Sequence, residues 1–342
     1  MKNLYNRVVK SKICQIPLKM VCGFLIVVVF SLTLGKPNLL NAQTPSPLPR
    51  SNAAIYHFKI GEWNGMSVCD GKLSFSPTFF VPNANPTEIA ASLTENFLPT
   101  EELSIYVNVL YLDTGSHKVL IDTGVGKTGQ DTAGQVVTNL ESSGVRAEDI
   151  DTVIITHAHP DHIGGLTTKT GELNFPNAQY YLSENEWNFW TASTVEMPNS
   201  LLNEEDKQQM INAIEPQLQA IANRIVLFQP GDELIPGIEA IDVSGHTPGQ
   251  SAYLISSGNE QLVVTGDVFY SDPLNLEHPD WEVRFDVDPK LGVATRERVL
   301  KEFNSDRGLL LVPHMPFPGL GHVDARSDHY EWKPIQWQFE PS

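Results

Sequence analysis

The sequence predicts an α/β protein of packed sheets and helices, and three observations predict it. Short apolar, β-rich runs come in clusters separated by helical patterns, as α/β layers require. Several of those runs end on a histidine or aspartate beside a glycine or proline. The groups able to ligate a metal are spread from His157 to His314, so one domain, 55–342, is expected to contain them all, although the 300 residues after position 42 could be two domains by length alone.

In order, the runs at 55–60, 105–112, 118–121, 152–156, 179–182, 225–228, 238–243, 252–256, 262–265 and 309–312 read as strands. Residues 65–71, Gly-Met-Ser-Val-Cys-Asp-Gly, read as an apolar strand running into a turn, with Cys69 a buried small hydrophobe. Helical patterns cover 87–96, 133–142, 183–190, 203–223 and 290–304. Ser183 with Glu186 three residues on is a capping-box pattern at a helix start. In 203–223, Met210, Ile211, Ile214, Leu218, Ile221 and Ala222 form one apolar face that belongs to the core.

Residues 156–162 read Thr-His-Ala-His-Pro-Asp-His, a density of ligands that favours a metal site over a solvated loop. His157 and His159 are two apart, so on an extended segment both leave the same face. Asp161 and His162 follow Pro160, where the chain must turn, and can address a second centre. Further candidates are His246, in a Gly/Pro turn between two apolar runs, Asp267, closing Gln-Leu-Val-Val-Thr-Gly-Asp, and His314, closing Leu-Leu-Leu-Val-Pro-His. Singly, strand-end Asp and His also cap turns. Together the five histidines and two aspartates suffice for two metals sharing one carboxylate. Imidazole suits zinc, iron and nickel, and the carboxylates extend the choice to manganese.

His-x-His-x-Asp-His, Gly-His-Thr-Pro-Gly, Thr-Gly-Asp and a strand-end histidine together resemble the metallo-β-lactamase superfamily, over 58–342. The resemblance implies a four-layer αβ/βα sandwich with two divalent ions, zinc foremost, between the edges of two sheets. It would assign His157, His159 and His246 to one metal, Asp161, His162 and His314 to the other, and Asp267 as the bridge. Phe285-Asp-Val-Asp288-Pro and the segment from Pro313 to His322 look like the methyl parathion hydrolase branch, close to the N-acyl homoserine lactone lactonases. Tyr270, three residues after Asp267, matches a lactonase tyrosine that polarises the substrate carbonyl. True β-lactamases usually carry Cys or Ser in place of Asp267. Glyoxalase II needs a helical C-terminal domain, for which the 28 residues after His314 are too few.

The ligands imply hydrolysis by a metal-bridging hydroxide, with Asp161, Asp267 and Tyr270 as catalytic groups and no Ser or Cys nucleophile. The expected substrate is a lactone or related ester, with side activity on phosphotriesters. The alternatives are a primary phosphotriesterase or a non-enzymatic metal-binding sensor of the same fold. Asp122, in Val-Leu-Ile-Asp-Thr-Gly, is the best candidate to orient a metal-bound imidazole. Gly126-Lys127-Thr128 resembles the end of a P-loop, but position 121 is Ile where the first glycine is needed, so no phosphate-wrapping loop is expected there.

Five basic residues (Lys2, Arg7, Lys10, Lys12, Lys19) precede an apolar run, 20–34, and Leu39-Leu-Asn-Ala42 ends in a small residue. This is a secretory signal pattern, 1–42, with an uncleaved anchor as the alternative and a flexible tether at 43–54. The expected location is secreted or periplasmic. After cleavage only Cys69 remains, so no internal disulfide can form. Removing 1–42 takes away six Lys/Arg and no Asp/Glu, leaving 17 basic against 41 acidic residues, a net charge of −24. Nucleic acid and anionic membrane surfaces would be repelled, which argues against nuclease function. The partner expected is a small molecule, and a homodimer is common in the relatives.

For the substrate pocket, Pro316, Phe317 and Pro318 are the stronger candidates, because His314 fixes them near the site. Trp187, Phe189 and Trp190 have helical spacing and read first as core. His322 has three possible uses: leaving-group acid, substitute ligand or surface residue. His57, His117, His278 and His329 sit in no ligand-like context.

Overall fold

The computed structural model describes residues 53–127 and 129–338. The expected signal peptide and most of the tether lie outside the described residues. Two seven-stranded sheets form, each with its strands in sequence order. The first holds β1 (Ile55–Ile60), β2 (Trp63–Phe75), β3 (Leu103–Asp113), β4 (Lys118–Ile121), β5 (Thr152–Ile154), β6 (Gln179–Ser183) and β7 (Ile225–Phe228). The second holds β8 (Glu233–Ile235), β9 (Ile238–Asp242), β10 (Ser251–Ser257), β11 (Glu260–Val264), β12 (Leu309–Leu311), β13 (Leu320–Ala325) and β14 (Tyr330–Pro334). Pairing is antiparallel except along β4–β5–β6–β7 and between β11 and β12.

Alternation along the strands builds the layers. On β3, Val109 and Tyr111 join a core with Val136 and Leu140 of α3 (Val136–Ser142) and Ile214, Leu218 and Ile221 of α6 (Glu204–Ile221). Leu110 and Leu112, on the opposite face, meet Tyr253, Ile255, Leu262 and Leu311 of the second sheet. The outer face of that sheet packs on Val299, Leu300 and Phe303 of α7 (Pro289–Asp306). Helix, sheet, sheet, helix is the four-layer αβ/βα arrangement expected. Burying one such side chain is worth about 1.5–3 kcal/mol, so a one-residue slip, which would exchange the faces of a whole strand, is strongly disfavoured.

Several expectations need correction. Strand β2 continues through Gly71, which was read as a turn. It is a β-bulge with φ +137°, where a Cβ would meet the Thr132 carbonyl at 2.1 Å. Cys69 beside it is half-buried, and burial pushes its thiol pKa up. Strands β8, β13 and β14 and the short helices α1 (Pro77–Phe80) and α4 (Pro160–Ile163) were not foreseen. His322 lies on β13, paired with Lys333 and donating to the Gly308 carbonyl at 2.8 Å. Phe317, half-buried, packs against the inter-sheet core instead of lining the cleft. Ser183 precedes α5 (Glu184–Trp190) but makes no side-chain cap, so the capping box is not formed.

Asp272, in a π-helical turn (Asp272–Leu276), accepts from the Trp332 N–H at 2.9 Å. Burial, with Glu277 and Glu331 nearby, pushes its carboxyl from 3.8 up to about 6. The native state therefore keeps this proton longer than the unfolded chain, and the stability it confers below pH 4 is lost as pH rises through 6. Asp272→Asn keeps the acceptor and removes the titration. Measured by urea unfolding in chelator, it should gain about 1–2 kcal/mol over wild type on going from pH 4 to pH 7.

Candidate metal centre

Parallel strands place the site. Ile121, Ile154 and Tyr181 lie side by side in β4, β5 and β6, so the segments carrying Asp122, residues 156–162 and Glu186 leave the first sheet at one edge. In the second sheet β11 and β12 run parallel and release Asp267 and His314 together. Loops at the carboxyl ends of parallel strands are where open α/β sheets build sites. Ser251 N–H donates to the Thr156 carbonyl at 2.9 Å, and Asn108 Nδ2 donates to the carbonyls of Pro313 and Met315 at 2.9 and 2.8 Å, so the two edges are bonded across the site.

All seven sequence candidates converge. The ligating atoms of His157, His159 and His246 lie within 4.8 Å of one another, and so do those of Asp161, His162, Asp267 and His314. Asp267 reaches both groups. Its Oδ2 is 3.0 Å from His314 Nε2, 3.5 Å from His246 Nε2 and 3.8 Å from His157 Nε2, and its Oδ1 is 3.2 Å from His162 Nε2. Asp161 Oδ2 is 3.6 Å from His162 Nε2 and 3.5 Å from His314 Nε2.

The far side of most rings is fixed. His162 Nδ1–H donates to Asp122 Oδ2 at 2.8 Å, His246 Nδ1–H to Asp286 Oδ1 at 2.7 Å and His314 Nδ1–H to the Tyr106 carbonyl at 2.6 Å. The Thr156 hydroxyl donates to Asp122 Oδ2 at 2.8 Å and accepts from His157 Nδ1–H at 3.1 Å. Asp122 adopts φ +64°, a left-handed backbone that costs a non-glycine residue about 1–2 kcal/mol. The conformation puts its Oδ1 in reach of the Thr156 N–H at 2.8 Å. Asp286 and Tyr106 carried no signal of this use in the sequence.

The donor set fits a cation. His157 Nε2, His159 Nε2, His162 Nε2 and Asp267 Oδ1 are buried and have no hydrogen-bond partner. Each such group left unsatisfied costs about 1–3 kcal/mol, and those of His157 and His162, gathered on the Asp267 carboxylate at 3.8 and 3.2 Å, are explained by ions that use those lone pairs. Burial, helped by the neighbouring imidazoles, drives the pKa of His157 and His159 well below 6.5, so both are neutral, the form that ligates. For His162 burial also lowers the pKa, but Asp267, Asp161 and Asp122 outweigh it and raise it well above 6.5. Burial pushes Asp267 up, and His162, His314 and His157 more than reverse it, leaving the carboxylate ionised.

A cleft of about 700 Å³ opens over this centre, reached by His159, Asp161, His246, Asp267 and His314. Its wall includes Tyr270, Phe75, Phe79, Phe80 and Phe285. Met210, expected in the core, also lines it. Pro316, Phe317 and Pro318 do not. Trp190 is core, as first read, with its ring against His159 at 5.7 Å.

Replacing His157, Asp161 or Asp267 by Ala should lower bound metal and abolish turnover, with Asp267→Ala affecting both ions because it touches both groups. Chelation should lower Tm and zinc should restore it, since the unpaired buried ligands are then satisfied again. Elemental analysis and thermal unfolding check this, and full metal content in the Asp267 variant would refute the assignment.

The family model described as the metallo-beta-lactamase superfamily matches residues 105–332. Two solved structures overlay closely. AidC, a dizinc quorum-quenching lactonase in complex with a product, is 31% identical with a TM-score of 0.81, covering 84% of this chain and 99% of that one. Hydrolase AbOPH in the beta lactamase superfamily is 30% identical with a TM-score of 0.78, covering 85% and 100%. The N-acyl homoserine lactonase of Bacillus thuringiensis is 21% identical over 257 residues, 69% of this chain and 92% of that protein. All seven groups fall inside the matched span and none is lost, which sets the non-enzymatic alternative aside. The chain belongs to the metallo-β-lactamase superfamily and is a metallo-hydrolase.

Proposed function

We propose that this metallo-hydrolase binds two zinc ions through His157, His159 and His246 on one side and Asp161, His162 and His314 on the other, bridged by Asp267, and opens N-acyl homoserine lactones. The N-terminal signal pattern supports a secreted or periplasmic location. Imidazole-rich sites with a shared carboxylate suit zinc, and similarity to a protein described as a dizinc lactonase supports the same choice.

The observation that carries the lactone reading is Tyr270. Its ring stacks on His314 at 5.1 Å and 15°, and its hydroxyl oxygen is 2.9 Å from His246 Nδ1, at the cleft wall. The one proton on that nitrogen is directed at Asp286, so the nitrogen has no lone pair to accept the phenol O–H, which is left for a substrate oxygen. Burial, reinforced by Asp267 and Asp286, pushes the phenol pKa well above 10, so it stays protonated at neutral pH. The cleft supports a neutral substrate with an apolar tail: Phe75, Phe79, Ile105, Leu202 and Met210 line it, and no Lys or Arg is among its described lining residues.

When bound, two divalent cations supply Lewis acidity and make water nucleophilic near pH 7. The protein's own groups do the rest. Tyr270 donates its O–H to the lactone carbonyl oxygen as charge grows there, and a fixed donor so placed is worth about 2.7–4 kcal/mol. Asp161, partly exposed and facing the cleft, is placed to take the proton that the attacking water gives up and to pass it to the departing ring oxygen. The apolar wall holds the acyl chain and keeps water from it.

The test is kcat/KM of purified, zinc-loaded protein on a long-chain N-acyl homoserine lactone and on methyl parathion. The lactone should be favoured by about a hundredfold, and Tyr270→Phe should cut its kcat by about 10²-fold at unchanged zinc content. The reverse preference would establish phosphotriester hydrolysis as the main activity.

A further inference from the structure

The three histidines of the first group sit on two separate loops, and one carboxylate outside the ligand set holds both. Glu186, in the first turn of α5, is 0% exposed. Its Oε1 accepts from the Ala158 N–H at 2.9 Å and the Trp190 indole N–H at 2.7 Å. Its Oε2 accepts from the Thr247 hydroxyl at 2.7 Å and the Gly249 N–H at 2.9 Å. Ala158 is the residue between His157 and His159, and Thr247 is the residue after His246. None of the four bonds is made by Asp161, His162 or His314, although Ala158 shares the 156–162 segment with the first two. Gly249 is tied to this arrangement, since a Cβ there would meet the Glu186 backbone nitrogen at 2.1 Å.

We propose that Glu186 is a positioning residue that sets metal affinity at the His157–His159–His246 position separately from the other. The proposal rests on the two-metal reading above. Four donors on two oxygens fix the distance between the two loops, and through it the convergence of three imidazoles. The matching group for the other position is Asp122, which holds His162. The two ions, though bridged by one carboxylate, thus rest on different buried acids, Glu186 and Asp122, with the Thr156 hydroxyl as the contact between Asp122 and His157.

A glutamine at 186 has the same shape but only one accepting oxygen. Turned either way, its amide N–H₂ faces a backbone N–H, of Ala158 or of Gly249, so one loop must move. Groups that orient metal ligands typically change affinity by about 10–100-fold when altered. The experiment compares wild type, Glu186→Gln and the milder Thr247→Val, which removes a single donor. Zinc and cobalt forms are dialysed against graded chelator, and metal is counted by elemental analysis. In the cobalt form, shifted imidazole N–H signals distinguish a three-histidine position from a two-histidine one. Glu186→Gln should empty the three-histidine position at about 10–100-fold less chelator than wild type while the other ion stays, with Thr247→Val between them. Should Glu186→Gln fail to fold, Thr247→Val carries the test alone. Loss of both ions at the wild-type chelator concentration, or loss of the two-histidine ion first, overturns the proposal. A wild-type protein that holds fewer than two ions defeats instead the two-metal reading beneath it.

Discussion

One carboxylate constrains the whole molecule. Asp267 lies within 3.0–3.8 Å of ring nitrogens of His314, His246, His157 and His162, which come from both sheets. For that to happen, the parallel strands of the two sheets must end at a common edge. The inter-sheet core of Leu110, Leu112, Tyr253 and Leu262 sets how far apart those ends stand. Burial then makes the meeting point expensive without ions, because polar atoms there face neither water nor partners. The hydrophobic layers supply the stability, and the site draws on it.

Orientation of the ligands depends on a further ring of buried groups, each anchored to different structure. Asp122 and Thr156 stand at the ends of β4 and β5. Asp286, which holds His246, lies 3.9 Å from the guanidinium of Arg296 on α7. Arg296 is 1% exposed and donates to the carbonyls of Val268, Pro279 and Trp281. A buried arginine is tolerable here because its donors find acceptors and its charge finds a carboxylate. In doing so it ties the segment just after Asp267 to the group behind His246, coupling two ligand loops through one side chain.

How much of this was legible in the sequence depended on whether the signal was local. Strands such as Ile55–Ile60, Lys118–Ile121 and Ile225–Phe228 were read to the residue, because their apolar runs end in clear turns. The seven candidate ligands were legible because chemistry and spacing coincide in the heptapeptide and at the strand ends. What failed were local signals overridden by distant partners. Gly71 reads as a turn, yet its φ of +137° serves a bulge inside a 13-residue strand. Ser183 and Glu186 have the spacing of a capping box, but the Glu186 carboxyl is bonded to residues 28, 61 and 63 positions away. Phe317 follows a candidate ligand closely in sequence and still packs against the inter-sheet core, away from the cleft. No pattern of neighbours encodes a contact made across the fold.

Charge carries the last step. The chain without its first 42 residues bears a net −24, and the cleft repeats that sign, with Asp161, Asp206 and Asp267 in its wall. Bound cations offset the acids around them, but nothing described in the lining offers a positive side chain farther out. A substrate with its own negative charge would meet repulsion along the approach, whereas a neutral ester or lactone would meet only the apolar wall. Under the proposed lactonase reading, hydrolysis changes that balance within the cleft. Opening a lactone creates a carboxylate, which is attracted to the metals but opposed by the acidic wall around them. The same electrostatics that admit the neutral ring then favour departure of the anion, so substrate selection and product release would follow from one distribution of charge.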